Sequence, residues 1–180
     1  MQKIIGHHTC ENTGNGTWIE QQGAPVAKSQ YKEGKQKNPF LGSGYYFWDY
    51  NMVMARNWGE KHYGNKYYIF QADIHSHEDI LFDLVGNRQH QEAFREVVNE
   101  LLAYDTKKNH WSIGAVIEYL KKYTDFPFKA IRAEDRSVWA EKYYFDDSTH
   151  RFTHLDPRNI VCITNVSPEV LTNFKLIETK

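Results

Sequence analysis

Hydrophobic and polar positions divide the chain into two strand-rich ends around a helical middle. Residues 3–9 (Lys-Ile-Ile-Gly-His-His-Thr) read as a short strand, and the polar run with Asn12, Gly14, Asn15 and Gly16 breaks it. Thr17 to Gln22 forms one or two helical turns closed by Gly23. Residues 24–42 are polar, with Pro25, Gly34, Pro39 and lysines at 32, 35 and 37, and are expected to form either a flexible flap beside a site or a plainly disordered loop. Gly44 to Trp48 has strong strand propensity, and Asp49 is the expected N-cap of a helix carrying Met52, Val53, Ala55 and Arg56 before Gly59. Lys66 to Ile74 is a second strand.

The three- and four-residue spacing of Phe94, Val97, Val98, Leu101 and Leu102 predicts a helix over 90–104 with that stripe in the core. A second helix runs from Trp111 to Tyr123, with Ile113, Val116, Ile117 and Leu120 on one face. Strands return at 128–132, 138–145, 159–165 and 173–178, so the fold class is α+β.

Size and composition narrow the function. A chain of 180 residues predicts one domain over 1–180. A net charge of −1 excludes a strongly basic nucleic-acid coat and an acidic tail as the main design. Aromatic residues reach 15%, and Tyr and Trp need partners for their polar ends, which points to an aromatic-lined cleft. Apolar runs fall short of the roughly 18 residues of a spanning helix, and polar residues begin by position 6, too early for a signal peptide. Cys10 and Cys162 fit no metal or redox spacing. These features predict a cytoplasmic protein with reduced thiols and no membrane association.

Two segments carry candidate chemistry. In Gly6-His7-His8-Thr9, strand alternation puts His7 and Thr9 on one face and His8 on the other. In Leu41-Gly42-Ser43-Gly44-Tyr45-Tyr46-Phe47-Trp48-Asp49, the glycines permit close backbone approach to a ligand. Read alone, the second segment is also consistent with a loop feeding a core strand.

Together these segments resemble the ADP-ribosyltransferase superfamily, in the branch that includes diphtheria toxin and the poly-ADP-ribose polymerases. That branch carries His-Gly-Thr or His-Gly-Ser ending its first core strand, then Gly-x-Gly-x-Tyr-Phe leading into a helix. His7-His8-Thr9 and Gly42-Ser43-Gly44-Tyr45-Tyr46-Phe47 match in that order, and Asn159–Asn165 looks like the late strand that bears the family's third signature residue. The resemblance implies two small, mainly antiparallel sheets around an NAD cleft with peripheral helices. It implies transfer of a single ADP-ribose unit from NAD, without a metal, to a macromolecular acceptor (protein or nucleic acid), with release of nicotinamide.

The same resemblance assigns roles. His7 would bond a ribose hydroxyl and Thr9 support it. Backbone groups at His7 and His8 would hold the carboxamide. Gly44 and Tyr45 would border the cofactor, Tyr46 would stack on nicotinamide and Trp58 would supply another wall. Where the family has glycine after the histidine, this chain has His8; where it has the catalytic glutamate, Arg158 and Asn159 stand. Asn159, Glu141 or Glu134 would then serve the third position. Small bacterial members of this branch are often toxins or anti-phage effectors, which adds an antitoxin or regulatory protein to the expected partners.

Two readings lie outside that enzyme. One keeps the fold as an NAD or ADP-ribose binding module. The other builds a metal-dependent hydrolase on Asp73-Ile-His75-Ser-His77, because histidines two apart on a strand share a face and can hold one zinc. Lysines 28, 32, 35 and 37 with Tyr31 could attract RNA or a nucleotide phosphate, or form a solvated loop.

Overall fold

The segment Lys-Ile-Ile-Gly-His-His-Thr near the chain's start becomes part of β1 (Lys3–Glu11), a strand with one neighbour along its whole length and another along only part of it. The structure, a computed structural model, describes residues 2–35, 37–104, 111–135, 143–144, 152–153 and 157–180. After β1 come α1 (Gly16–Gln22), β2 (Tyr45–Asp49), α2 (Met52–Tyr63), β3 (Tyr67–His75), β4 (Leu81–Asp83), α3 (Arg88–Tyr104) and α4 (Ile113–Tyr123). Then follow β5 (Ala130–Glu134), β6 (Tyr143–Tyr144), β7 (Phe152–Thr153), β8 (Asn159–Ile163) and β9 (Leu171–Thr179).

The class is α+β, as expected, but the expected pair of small sheets gives way to one seven-stranded sheet in the order β4-β5-β8-β2-β1-β3-β9. The reason is β2, which pairs with β8 on one side and β1 on the other and so joins both halves through backbone hydrogen bonds. Pairing within this sheet is antiparallel except between β4 and β5. β6 and β7 form a separate two-stranded ribbon.

Both faces of the sheet are covered. Tyr68, Phe70, Phe47, Val161 and Ile163 face Ile19 of α1. On the other face Ile131, Ala133, Ile160 and Cys162 pack against Ile117 of α4, while Tyr67 and Ile69 pack against Ala55 of α2. Burial on both faces explains why β3 is apolar with little alternation. No helix among the described residues is long and apolar enough to cross a membrane.

Two local expectations change. Asn51, not Asp49, caps α2, its side chain accepting from the amide of Met54; Asp49 instead pairs with Arg132. The apolar stripe of α3 is not core: α3 has no buried residue, and Phe94 alone of the stripe packs, half-buried, against the core cluster of Phe82 and Ile131. This follows from its place beside β4, the outermost strand on that side. The strand expected at 138–145 falls largely outside the described residues, as does Glu141.

Candidate active site

A cleft opens where two neighbouring strands separate. β1 pairs with β2 only at Gly6–Asp49 and His7–Trp48, although β1 continues to Glu11 beside β3 and β2 continues beside β8. Past His7 the backbones part, and the His8 ring spans the gap: its Nδ1 lies 2.9 Å from the carbonyl oxygen of Tyr46. A carbonyl only accepts, so Nδ1 donates and the neutral ring keeps its lone pair on Nε2. The ring also packs against Phe47 at 5.2 Å between centroids.

The cleft beside this gap holds about 370 Å³, within the range of small-molecule sites. Its walls are strongly aromatic, with Phe40, Tyr46, Trp48 and Trp58, and His8 and Thr9 also line it. Lys28 and Asp135 are the charged lining residues, one of each sign. Trp58 is 45% exposed and stacks on His62 at 3.8 Å, so one face of the wall is pre-formed before any ligand arrives.

Local chemistry holds these groups in place. The Tyr46 hydroxyl donates to the carbonyl of Gly42 at 2.7 Å and accepts from the amide of Leu41 at 2.8 Å. Burial raises its pKa well above the ordinary phenol value, so it remains a donor at all working pH. Glu118, a residue that gave no signal in the sequence, accepts from the amide of Ser43 at 2.7 Å and from Lys121 at 2.7 Å. The segment expected to be a flap does border the cleft, through Ala27, Lys28, Ser29, Pro39 and Phe40. It is tied down by a two-way bridge between Ser29 and Gly44 and by a bond from the Tyr31 amide to the Ser43 hydroxyl. Thr9 donates its hydroxyl to the carbonyl of Ala55, docking α2 over β1.

The cleft thus gathers His8, Thr9, Tyr46 and Trp58 among the residues singled out from sequence, and leaves His7, Gly44, Tyr45 and Asn159 outside its lining. Alternation does hold: Thr9 sits opposite Ile69 on one face and His8 opposite Phe70 on the other. His7 is buried opposite Gln71 and beside Trp48, which does line the cleft. The glycines serve packing. A Cβ at Gly44 would meet Cys162 Sγ at 2.4 Å and the Ile163 carbonyl oxygen at 2.7 Å, and Gly42, at φ +79°, abuts Glu118. Tyr45 does not line the cleft but packs against the core cluster of Phe47, and Lys28 Nζ, at the cleft's border, lies 5.8 Å above its ring.

Asn159 begins β8 opposite Glu134. Its side-chain oxygen, His7 Nδ1 and His8 Nε2 are buried and find no hydrogen-bond partner among the described residues. Asp135 is the lining carboxylate that sequence reasoning missed, because it follows β5 and reaches the cleft only through the pairing of β5 with β8.

Electrostatics narrows the chemistry. Burial lowers the pKa of His8 to about 4, with the Tyr46 hydrogen bond acting in the opposite sense, so the ring is neutral at neutral pH. Burial also lowers His7, with Gln71 opposing. Burial pushes Cys10 up to about 11 and Cys162 up to about 12, so neither offers a thiolate nucleophile.

A depressed histidine pKa means that the unfolded chain binds the extra proton first. Stability should therefore be fully present above about pH 6.5 and fall as pH drops toward 4, by roughly 3 kcal/mol from His8 alone. His7 adds in the same direction. Urea unfolding at pH 7, 5.5 and 4.5 should show this slope. His8→Asn, whose amide can still donate to the Tyr46 carbonyl, should flatten it; an unchanged slope would remove His8 as its source.

The histidines at 75 and 77 do not form the strand pair that a metal needs. β3 ends at His75, whose Nε2 lies 3.2 Å from the Thr172 hydroxyl, whereas His77 stands in the following turn beside Asp79. Among the described residues no three His, Cys, Asp or Glu side chains are placed to hold a metal ion. A larger hollow of about 790 Å³ lies at the other end of β1. Several of its charges are already matched: Arg132 pairs with Asp49 and Asp83, Lys3 with Asp73, and Arg88 with Glu92. The smaller aromatic cleft is therefore the better candidate. The chain matches no protein-family model, no curated protein and no solved structure.

Proposed function

We propose that this chain is an NAD-dependent mono-ADP-ribosyltransferase with an ADP-ribosyltransferase-like fold. The observation that carries the reading is the make-up of the cleft: aromatic walls of Phe40, Tyr46, Trp48 and Trp58 with one cation, Lys28, and one anion, Asp135. NAD has the matching pattern, a flat cationic pyridinium ring at one end and anionic phosphates in the middle. The resemblance of His7-His8-Thr9 and Gly42–Phe47 to the family's motifs supports the same assignment from the opposite direction, since His8, Thr9 and Tyr46 reach this cleft.

In this reading the nicotinamide ring lies against the indole and phenol faces, using offset stacking. The phosphates lie toward Lys28 and the ribose toward Asp135. The Tyr46 hydroxyl is occupied by the 41–42 turn, so its ring face is what it offers to the ligand. Tight positioning matters because the reaction stretches the bond between ribose and nicotinamide through an oxocarbenium-like state. Enclosure between the flap and α2 limits water as a competing acceptor. Asn159, neutral and outside the cleft, favours a second reading, a binding module that holds NAD without cleaving it.

The two readings share one expectation and differ in another. Millimolar NAD should raise the melting midpoint, because a ligand at about 100 times its Kd adds roughly 2.7 kcal/mol. Nicotinamide release, and label transfer from adenine-labelled NAD into cell extract, should occur only if the protein is a transferase. No midpoint shift would sink both readings; a shift without nicotinamide release would leave the binding module.

A further inference from the structure

We propose that Asp135 supplies the negative charge that stabilises the ribosyl cation in the cleft, an inference that rests on the transferase reading above. The late strand β8 offers no carboxylate where the resemblance places one: its start is Arg158-Asn159. The neighbouring strand does. Asp135 follows the last residue of β5, and its amide donates to the carbonyl of Arg158 at 2.8 Å, which extends the β5–β8 ladder by one step beyond Glu134–Asn159. Alternation then settles its direction. Asp135 shares a face with Ala133, and Ala133 pairs with Ile160, which lines the cleft beside Trp48.

Four properties suit Asp135 to the task. It is the only carboxylate among the described lining residues of this cleft. Among the described residues no Lys, Arg or His side chain forms an ion pair with it, in contrast to Asp49, Asp73 and Asp83, whose charges are matched. It is half-buried, so a charge that develops beside it is partly shielded from water while the carboxylate stays reachable. Asp135 also faces a largely apolar and aromatic lining, in which a fixed negative charge acts at longer range than it would in solvent.

The balance of the step is simple. The bond between the ribose anomeric carbon and the ring nitrogen breaks, and its electron pair goes to the nitrogen, which turns the pyridinium into neutral nicotinamide. The positive charge moves to the ribose, next to the Asp135 carboxylate. The acceptor's nucleophilic atom then forms the new bond to the anomeric carbon, and its proton leaves to water. Asp135 is unchanged at the end and makes no covalent bond.

The test compares wild type with Asp135→Asn and Asp135→Glu, with nicotinamide release, the NAD-induced midpoint shift and KM read for each. Asp135→Asn should cut turnover by about 100-fold or more while the NAD-induced shift and KM stay near wild type, because the amide keeps the shape and loses the charge. Asp135→Glu should recover part of the turnover, which a merely structural role would not produce. Turnover of Asp135→Asn at the wild-type rate overturns the proposal and leaves the transferase reading standing. So does equal loss in the Asn and Glu variants. A wild-type protein that binds NAD and releases no nicotinamide overturns the transferase reading itself, and Asp135's role with it. Glu141→Gln belongs in the same series: a loss there beside an unaffected Asp135→Asn assigns the charge to Glu141 instead.

Discussion

Gly44→Ala should destabilise the protein by about 3 kcal/mol, at the upper end of what overpacking costs. The added Cβ would sit 2.4 Å from Cys162 Sγ and 2.7 Å from the carbonyl oxygen of Ile163. Both residues are fully buried in β8. The carbonyl belongs to the backbone, and Ile163 is paired with Tyr45 on one side and Ala130 on the other. Relief therefore requires β2 to move away from β8 at the point where the chain enters the cleft wall. For a chain of this size the shift in melting midpoint should be about 10 °C. Gly23→Ala is the comparison. Gly23 has φ +64° with nothing within 4 Å of the added carbon, so only backbone strain applies, about 1 kcal/mol. Equal losses at the two sites would mean that the contact with β8 is not what requires glycine at 44.

Arg132→Met should cost about 2–3 kcal/mol, less than the 3–5 typical of a fully buried pair because these groups keep some exposure. Arg132 Nε and Nη2 donate to Asp49 at 2.8 and 2.5 Å, and Nη1 donates to Asp83 at 3.3 Å. The side chains are 21%, 10% and 18% exposed. Methionine keeps much of the stem but leaves two carboxylates close together without their cation. The loss should therefore come from the stranded acids more than from packing. Adding Asp49→Asn to Arg132→Met should then restore part of the stability, a coupling of about 1 kcal/mol or more by double-mutant cycle in urea. Strict additivity would show that the ion pair carries no net weight and that Arg132 acts through its stem. Because Asp49 ends β2 and Arg132 lies in β5, with β8 between them, the variant should also loosen the sheet near Asp135.

Local pattern was enough for much of the framework. The alternation in Gly6-His7-His8-Thr9 separates His8 from His7 and Thr9 wherever the strand lies, because side chains of a strand alternate regardless of its neighbours. Of the predicted stripe Ile113, Val116, Ile117 and Leu120, the last three form the buried face of α4 and Ile113 is exposed, while Ser112, the second residue of the expected helix, caps it. The cluster of Gly42, Gly44 and Tyr46 marks a place where backbone comes close. What it comes close to within the fold is a matter of tertiary structure: Glu118 and Cys162, which lie 76 and 118 residues further along from Gly42 and Gly44.

The same limit separates two caps and two stripes. Asp49 has the right chemistry for an N-cap, yet Arg132 claims it from 83 residues away, and Asn51 takes the cap. The stripe of α3 is as regular as that of α4, but α3 lies beside an outermost strand and has little to bury against. Aromatic content points to a cleft and four of its lining residues stand out in the sequence, but its place in the sheet was not legible. It arises because β1 and β2 part after His7–Trp48, and strand separation leaves no mark on residue type. Asp135 enters the site only because β5 lies beside β8, an arrangement set by the order of seven strands. Periodicity is a short-range property, set by the geometry of one backbone segment, and the sequence by itself determined what depends on it. Which charges meet, which apolar faces find a partner and where two strands separate depend on residues far apart in the chain, and only the packed sheet decided those.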